Sequence, residues 1–297
     1  MQLRTSQRQS AKIRLSLQGP AGSGKTYSSL LLAFGLVGDW KKIAVIDTEN
    51  GSADLYSELG DYYVLTLTEP YSPERYIEGI KLCESNGIEC IIIDSISHEW
   101  SGKGGCLMIH EQVTSAMRIP NSFTAWANVT PRHQGFIDAI LQCKSHIITT
   151  IRSKTDYVIT ERNGKQVPVK MGMAPVTRDG FEYEVTISLD LDEEHKATSS
   201  KDRTNLFSGK PKFQITIETG QLIKAWCNSG VTVEDVRQLI NSSISVDELN
   251  KLFQKYSSMS QQLSADFTRR KQELLSTRTL LNHQTQGNGN GSSTKNG

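Results

Sequence analysis

Hydrophobic and polar positions alternate, run together or recur at helical spacing along this chain, and each pattern predicts an element. KIRLSLQ, starting at Lys12, sets Ile13, Leu15 and Leu17 between polar residues, a period of two that predicts a strand. TYSSLLLAFGLV, soon after it, has the apolar density of a helix packed on a sheet. KKIAVIDTEN carries a short buried strand over Ile43–Ile46 that ends at Asp47, and YYVLTLT over 62–68 predicts a third strand. SPERYIEGIKLCESNG opens on Ser72 and Pro73 and closes on Gly87, as a capped helix should. IECIIIDSIS is apolar without alternation, which marks a parallel strand buried on both faces. Helices are expected around 107–117 and 133–144, with HIITTIRS as a further buried strand. Strands alternating with helices over 12–152 predict a doubly wound, mainly parallel α/β core.

The pattern then changes. DYVITERNGKQVPVKM is two alternating runs joined by Asn163 and Gly164, a strong hairpin signal. FEYEVTISLDLD and PKFQITIETG also alternate, so an antiparallel β extension is expected on the same sheet or beside it. From Val231 onward three helical stretches each open with Thr or Ser before acidic residues. Their apolar positions are too few for an independent core, which predicts a small accessory helical unit. The expected organisation is a flexible N-terminus over 1–11, the α/β domain over 12–230, the accessory helices over 231–281 and a disordered polar tail over 282–297.

Composition narrows the class. A chain of 297 residues with 37% hydrophobic content can bury one substantial core and a small second unit. The net charge of +1 gives no global signal for nucleic acid or membrane, so a charged partner must be met by a local patch. The five cysteines show no C-x-x-C spacing and the six histidines no H-x-x-x-H pairing, which argues against a disulfide framework and a zinc site. No apolar leader or membrane-length run is present, so the expectation is a cytoplasmic protein with no membrane partner.

The chemistry is concentrated at GPAGSGKT, residues 19–26, where the spacing G-x-x-x-x-G-K-T falls between a predicted strand and a predicted helix. Glycines let the backbone curl round an anion, and the turn's N–H groups add to the positive end of the helix dipole. The predicted nucleotide-binding set is Gly19, Pro20, Ala21, Gly22, Ser23, Gly24, Lys25, Thr26 and Tyr27, with ATP as ligand. Lys25 would reach the outer phosphates and the Thr26 hydroxyl would ligate Mg2+. A second carboxylate should position the metal from the end of a buried strand, and Asp94 is that residue in type and place. Hydrolysis also needs a carboxylate to orient water, for which Glu49 and Glu99 are both candidates.

The combination of GPAGSGKT, Asp47-Thr48-Glu49 and IIIDSIS resembles the RecA-like P-loop ATPases. That resemblance implies Glu49 as catalytic carboxylate and Asp94 as the Walker B aspartate followed by serine. ATSSKDRTNLF contains Lys201-Asp202-Arg203, similar to the lysine-x-arginine pair of RadA and the DnaB-type helicases. The resemblance implies that Lys201 and Arg203 act as catalytic fingers on a neighbouring subunit's phosphate, in a homo-oligomeric ring or filament. Over residues 11–228 the order of motifs is similar to the small RecA-type ATPases of phages and mobile elements, a group that includes AAA ATPases and single-strand annealing proteins.

In RecA-like proteins DNA-contacting loops follow the Walker B strand and the next strand, which implies DNA-binding roles for Lys103, Arg152, Lys154, Tyr157, Arg162, Lys165 and Lys170. The second of these regions is a local basic cluster with an interleaved aromatic residue, which suits phosphate contact and base stacking. Thr149 and Thr150 match the strand end where these enzymes sense nucleotide state. The expected function is therefore an ATPase acting on single-stranded DNA in recombination or annealing, with a single-strand binding or replication protein as a further partner. The alternatives are an ATP-dependent switch or loader that recruits a replication partner, and a P-loop kinase of small acceptors.

Overall fold

The computed structural model of the chain describes residues 11–162, 165–228 and 233–286, with the side chains of 155–162, 165–172, 258 and 277–286 outside the description. In chain order the α/β unit runs β1 (Arg14–Gly19), α1 (Lys25–Val37), β2 (Ile43–Asp47), β3 (Tyr63–Thr66), α2 (Pro73–Ser85), β4 (Cys90–Asp94) and α3 (Ser97–Ser101). It continues with α4 (Cys106–Ala116), α5 (Ser122–Gln142), β5 (His146–Arg162), β6 (Lys165–Pro175), α6 (Phe181–Glu184), β7 (Ile187–Leu191), β8 (Lys196–Asp202), β9 (Phe213–Gln214) and α7 (Ile217–Asn228). A nine-stranded sheet has the order β3-β2-β4-β5-β1-β7-β8-β9, with β6 paired to β5. Neighbours from β3 through β7 are parallel, whereas β5–β6, β7–β8 and β8–β9 are antiparallel. The fold is thus mixed α/β, with a mainly parallel sheet and an antiparallel extension.

Alternate residues of the central strands feed two separate apolar layers, because side chains in a strand point to opposite faces. Leu15, Leu17, Ile43, Val45, Cys90, Ile92 and Ile148 pack with Leu30, Leu32 and Leu36 of α1 and Ile223 of α7. Ala44, Ile46, Ile91, Ile93 and Ile147 pack on the other face with Tyr76 and Ile80 of α2 and Phe136, Ile137 and Ile140 of α5. β1 reads as half-polar, yet Arg14 and Ser16 are buried as well, because the strand is interior to the sheet. Ser16 donates to Ser188 on the adjoining β7 at 2.9 Å. The Arg14 guanidinium donates to the carbonyls of Leu141, Cys143 and Ser145, so a cation satisfies acceptors at the C-terminus of α5.

Three elements differ from the expectation. α5 begins at Ser122 rather than near 133 and carries Pro131 inside it. Asn121 caps it by accepting from Thr124 N at 3.0 Å, and Trp126 in its first half stacks on Trp100, contacts that hold the helix across the proline. FEYE is the short helix α6 rather than strand, and the strand that follows it, β7, runs parallel to β1. The last four residues of the alternating ITIETG open α7 at Ile217, where Thr219 Oγ1 accepts from Thr216 N and Gly220 meets Gly35 of α1.

The described residues from Lys12 to Cys227 form one compact unit, and the described helices after Asn228 belong to another. The second contains α8 (Val233–Ser242), α9 (Val246–Lys255) and α10 (Ser264–Gln286). Its helices enclose a small core of Val236, Ile240, Leu249, Tyr256, Met259, Leu263 and Phe267, more apolar packing than their sequence led us to expect. Ser245 caps α9 by accepting from Glu248 N, and Glu248 accepts in return from Ile244 N. α10 continues to Gln286, past the expected start of the tail at 282. No described helix is long and apolar enough to cross a membrane.

Candidate functional site

The turn between β1 and α1 is shaped for an anion. Gly22 and Gly24 adopt φ of 81° and 83°, left-handed values that glycine takes without strain. A side chain on Gly24 would press on His195 Nδ1 at 3.1 Å. Ser23 Oγ is buried without a hydrogen-bond partner, and α1 begins at Lys25 with its first backbone donors directed at the turn. Lys25 Nζ donates to the carbonyls of Gly19 and Pro20 at 2.9 and 2.8 Å, and burial lowers its pKa. A cleft of about 570 Å³ opens here, lined among others by Gly22, Lys25, Thr26, Tyr27, Glu49, Asp94 and Arg152. The volume suits a nucleotide, and Tyr27 with Tyr56 forms an aromatic pair at its edge, with ring centroids 5.5 Å apart.

β5 intervenes between the P-loop strand and the strand bearing Asp94, and this order brings hydroxyls from both sides to the Asp94 carboxylate. Thr26 Oγ1 donates to Asp94 Oδ2 at 2.6 Å from the P-loop side, while Thr150 Oγ1 donates to Oδ1 at 2.5 Å from β5. Asp94 is buried, and desolvation raises its pKa despite the two hydroxyl bonds. An acidic oxygen beside a threonine hydroxyl is the hard oxygen donor set that fits Mg2+. Thr149, its neighbour on β5, bonds instead to the Leu15 carbonyl.

Asp47 turns the chain after β2. Its carboxylate accepts from the backbone N–H of Glu49 at 2.6 Å and of Ala53 at 3.2 Å, an Asx-type turn that lifts Glu49 to the cleft. Glu49 Oε1 accepts from Ser95 Oγ at 2.8 Å, so the serine after Asp94 ties the two strand ends together. Both Glu49 oxygens also pair with the Arg152 guanidinium, with Nε at 2.7 Å from Oε1. Thr48 and His98 are part of the same frame: Thr48 bonds to Ser95, and His98 Nδ1 lies 2.9 Å from Thr48 Oγ1. Glu99 is elsewhere, 1% exposed and bonded to His133 and Cys106.

The other predicted residues separate. Lys201 and Arg203 both donate to the Tyr183 carbonyl and do not line the cleft of their own chain. Lys103 pairs with Glu69 at 2.7 Å on the surface. Lys154 lines a second cleft, of about 740 Å³, with Trp100, Phe123, Trp126 and Arg178. There Trp100 and Trp126 stack at 5.6 Å, Arg178 lies 5.9 Å from the Trp126 ring, and Phe123 is 88% exposed. The side chains of Tyr157, Arg162, Lys165 and Lys170 lie outside the description, though their backbones pair between β5 and β6.

Sequence reasoning missed the Arg152–Glu49 pair, the Thr48–His98 link and the aromatic cleft. Each joins residues tens of positions apart, and no local pattern announces it. Over residues 11–214 the chain matches a family model described as AAA domain. No curated protein matches the sequence.

Proposed function

Because this chain belongs to the AAA domain family of P-loop ATPases, whose model spans most of its length, we propose that it hydrolyses ATP in response to single-stranded DNA. The reaction would serve recombination or annealing of phage or mobile-element DNA. Lys25 and the P-loop N–H groups would hold the outer phosphates, Thr26 and Asp94 would hold Mg2+, and Glu49 would orient water and accept its proton. Magnesium, when bound, neutralises charge building on the phosphate oxygens.

One observation carries the DNA dependence. Arg152 is the last residue of β5 paired with β1, and pairing with β6 begins at the next residue, Ser153. The side chain that occupies both Glu49 oxygens therefore sits at the base of the basic hairpin. A DNA phosphate competing for Arg152 would free Glu49 for the water. Stacked tryptophans with Lys154 and Arg178 beside them supply a surface suited to bases and phosphates.

The test is ATP turnover by wild type, Lys25→Ala and Glu49→Gln, with and without single-stranded DNA and across salt. Wild-type turnover should rise with DNA, less so at high salt. Lys25→Ala should lose nucleotide binding, and Glu49→Gln should keep binding but lose about 10²- to 10⁴-fold in turnover. Turnover indifferent to DNA would remove the DNA reading and leave the ATPase. Glu49→Gln at wild-type rate would remove Glu49 from the chemistry.

A further inference from the structure

Behind the aromatic cleft, three chemically distinct side chains from three helices converge in an apolar shell. Glu99 of α3, Cys106 at the first position of α4 and His133 in the middle of α5 are 1%, 0% and 5% exposed. Glu99 Oε1 lies 3.0 Å from Cys106 Sγ and 3.0 Å from His133 Nδ1, and the sulfur and nitrogen are 4.0 Å apart. From these residues we propose a binding site for a borderline-soft divalent cation of the Zn2+ class, separate from the magnesium site at Thr26 and Asp94.

Geometry is the first support. Tetrahedral zinc with bonds of about 2.0–2.3 Å sets neighbouring donor atoms about 3.3–3.7 Å apart. The three separations here straddle that range, so small side-chain rotations open the triangle around an ion. A fourth position falls to water, since no fourth His, Cys, Asp or Glu joins the group among the described residues.

Charge is the second. The surroundings are apolar: Cys106, Ile109 and Val129 with Trp100, Val113 and Trp126 packed on them. Within it Glu99 Oε1 already accepts from Cys106 and lies against His133 Nδ1, so the three donors face one another. A divalent cation with one carboxylate, one thiolate and one neutral imidazole leaves no net charge, and the thiol proton is released to solvent as the metal–sulfur bond forms. Thiolate and imidazole select zinc, cobalt or cadmium over magnesium, which separates this site from the phosphate site by chemistry as well as position.

The loop geometry lets Cys106 reach Glu99 only seven residues away. Side chains on Gly102 or Gly105 would strike the His98 carbonyl at 2.5 and 2.7 Å. An ion here would tie α3, which follows Asp94 and carries Trp100, to α4 and α5.

The experiment uses the full chain, stripped with chelator, dialysed and titrated with Co2+ in excess Mg2+. The expected result is about one tightly held ion per chain with a thiolate-to-cobalt charge-transfer band. Zn2+ should displace it, and Cys106→Ala and His133→Gln should each abolish the band. A second variant replaces Cys83, Cys90, Cys143 and Cys227 with alanine, leaving Cys106 alone, and should retain the band. Circular dichroism checks that each variant is folded. Absence of the band in wild type, or its persistence in folded Cys106→Ala, overturns the site.

Discussion

Asp94 stands 2% exposed at the end of β4, and its carboxylate is costly to ionise there. Because burial raises its pKa in the folded chain, the native state holds a proton that the unfolded state has lost between the ordinary carboxylate value and the raised one. Stability therefore falls as pH rises through that window. Asp94→Asn should raise Tm by a few degrees at neutral pH without Mg2+ and abolish magnesium-dependent turnover, read by thermal melts and an ATPase assay. His146 works in the opposite sense. Its Nδ1 accepts from Ile13 N at 3.1 Å, and burial pushes its pKa down from 6.5 to about 3. The unfolded chain takes up a proton that the folded chain refuses, so stability is lost as pH falls from 6.5 toward about 3. His146→Gln, whose amide oxygen can accept the same bond, should flatten that slope by up to about 1.4 kcal/mol per pH unit in urea titrations. The candidate phosphate-binding residues were legible because a P-loop is local: glycines, lysine and threonine follow one another in the chain. Arg152 was legible as a cation but not as the partner of Glu49, since 103 positions separate them.

Helices and strands meet here through a few close contacts that a single atom can disturb. Gly35 of α1 faces Gly220 of α7, and a methyl group on Gly35 would lie 2.7 Å from the Gly220 Cα. Gly35→Ala should cost about 1–3 kcal/mol by forcing the helices apart, measured by urea unfolding, although alanine is the better helix former. That contact also explains why α7 was misread. ITIETG alternates as a strand would, but the small Gly220 docks against α1 and the Thr216–Thr219 bond starts a helix, so packing overrides a short period-two signal. The junction of β5 with its hairpin carries the sharpest functional expectation at this scale. Arg152→Ala should raise turnover in the absence of DNA and reduce the fold stimulation by DNA, because Glu49 loses its competing cation. Unchanged basal turnover with unchanged stimulation would separate the hairpin from the cleft.

At the scale of the whole molecule, half-buried Lys201 and exposed Arg203 share the Tyr183 carbonyl and leave their own cleft to other residues. If they serve a neighbour, Lys25→Ala and Arg203→Ala chains, each inactive alone, should regain about a quarter of wild-type turnover when mixed, since an intact P-loop can then meet an intact finger. No recovery, with turnover linear in protein concentration, would remove the trans role. Sequence alone determined the α/β alternation, the P-loop and the strand-end carboxylates, because hydrophobic period and a contiguous anion-binding turn are properties of neighbouring residues. The parallel course of β7, the start of α5 ahead of Pro131 and the helical start of α7 at Ile217 were decided by packing between distant segments. The resemblance pointed to Glu49, and tertiary structure placed the two glutamates in different surroundings. Glu49 is lifted to the nucleotide cleft by the turn at Asp47, whereas Glu99 is carried on α3 into an apolar pocket with Cys106 and His133. Both follow buried strands in the chain, and only the positions of the surrounding helices tell them apart.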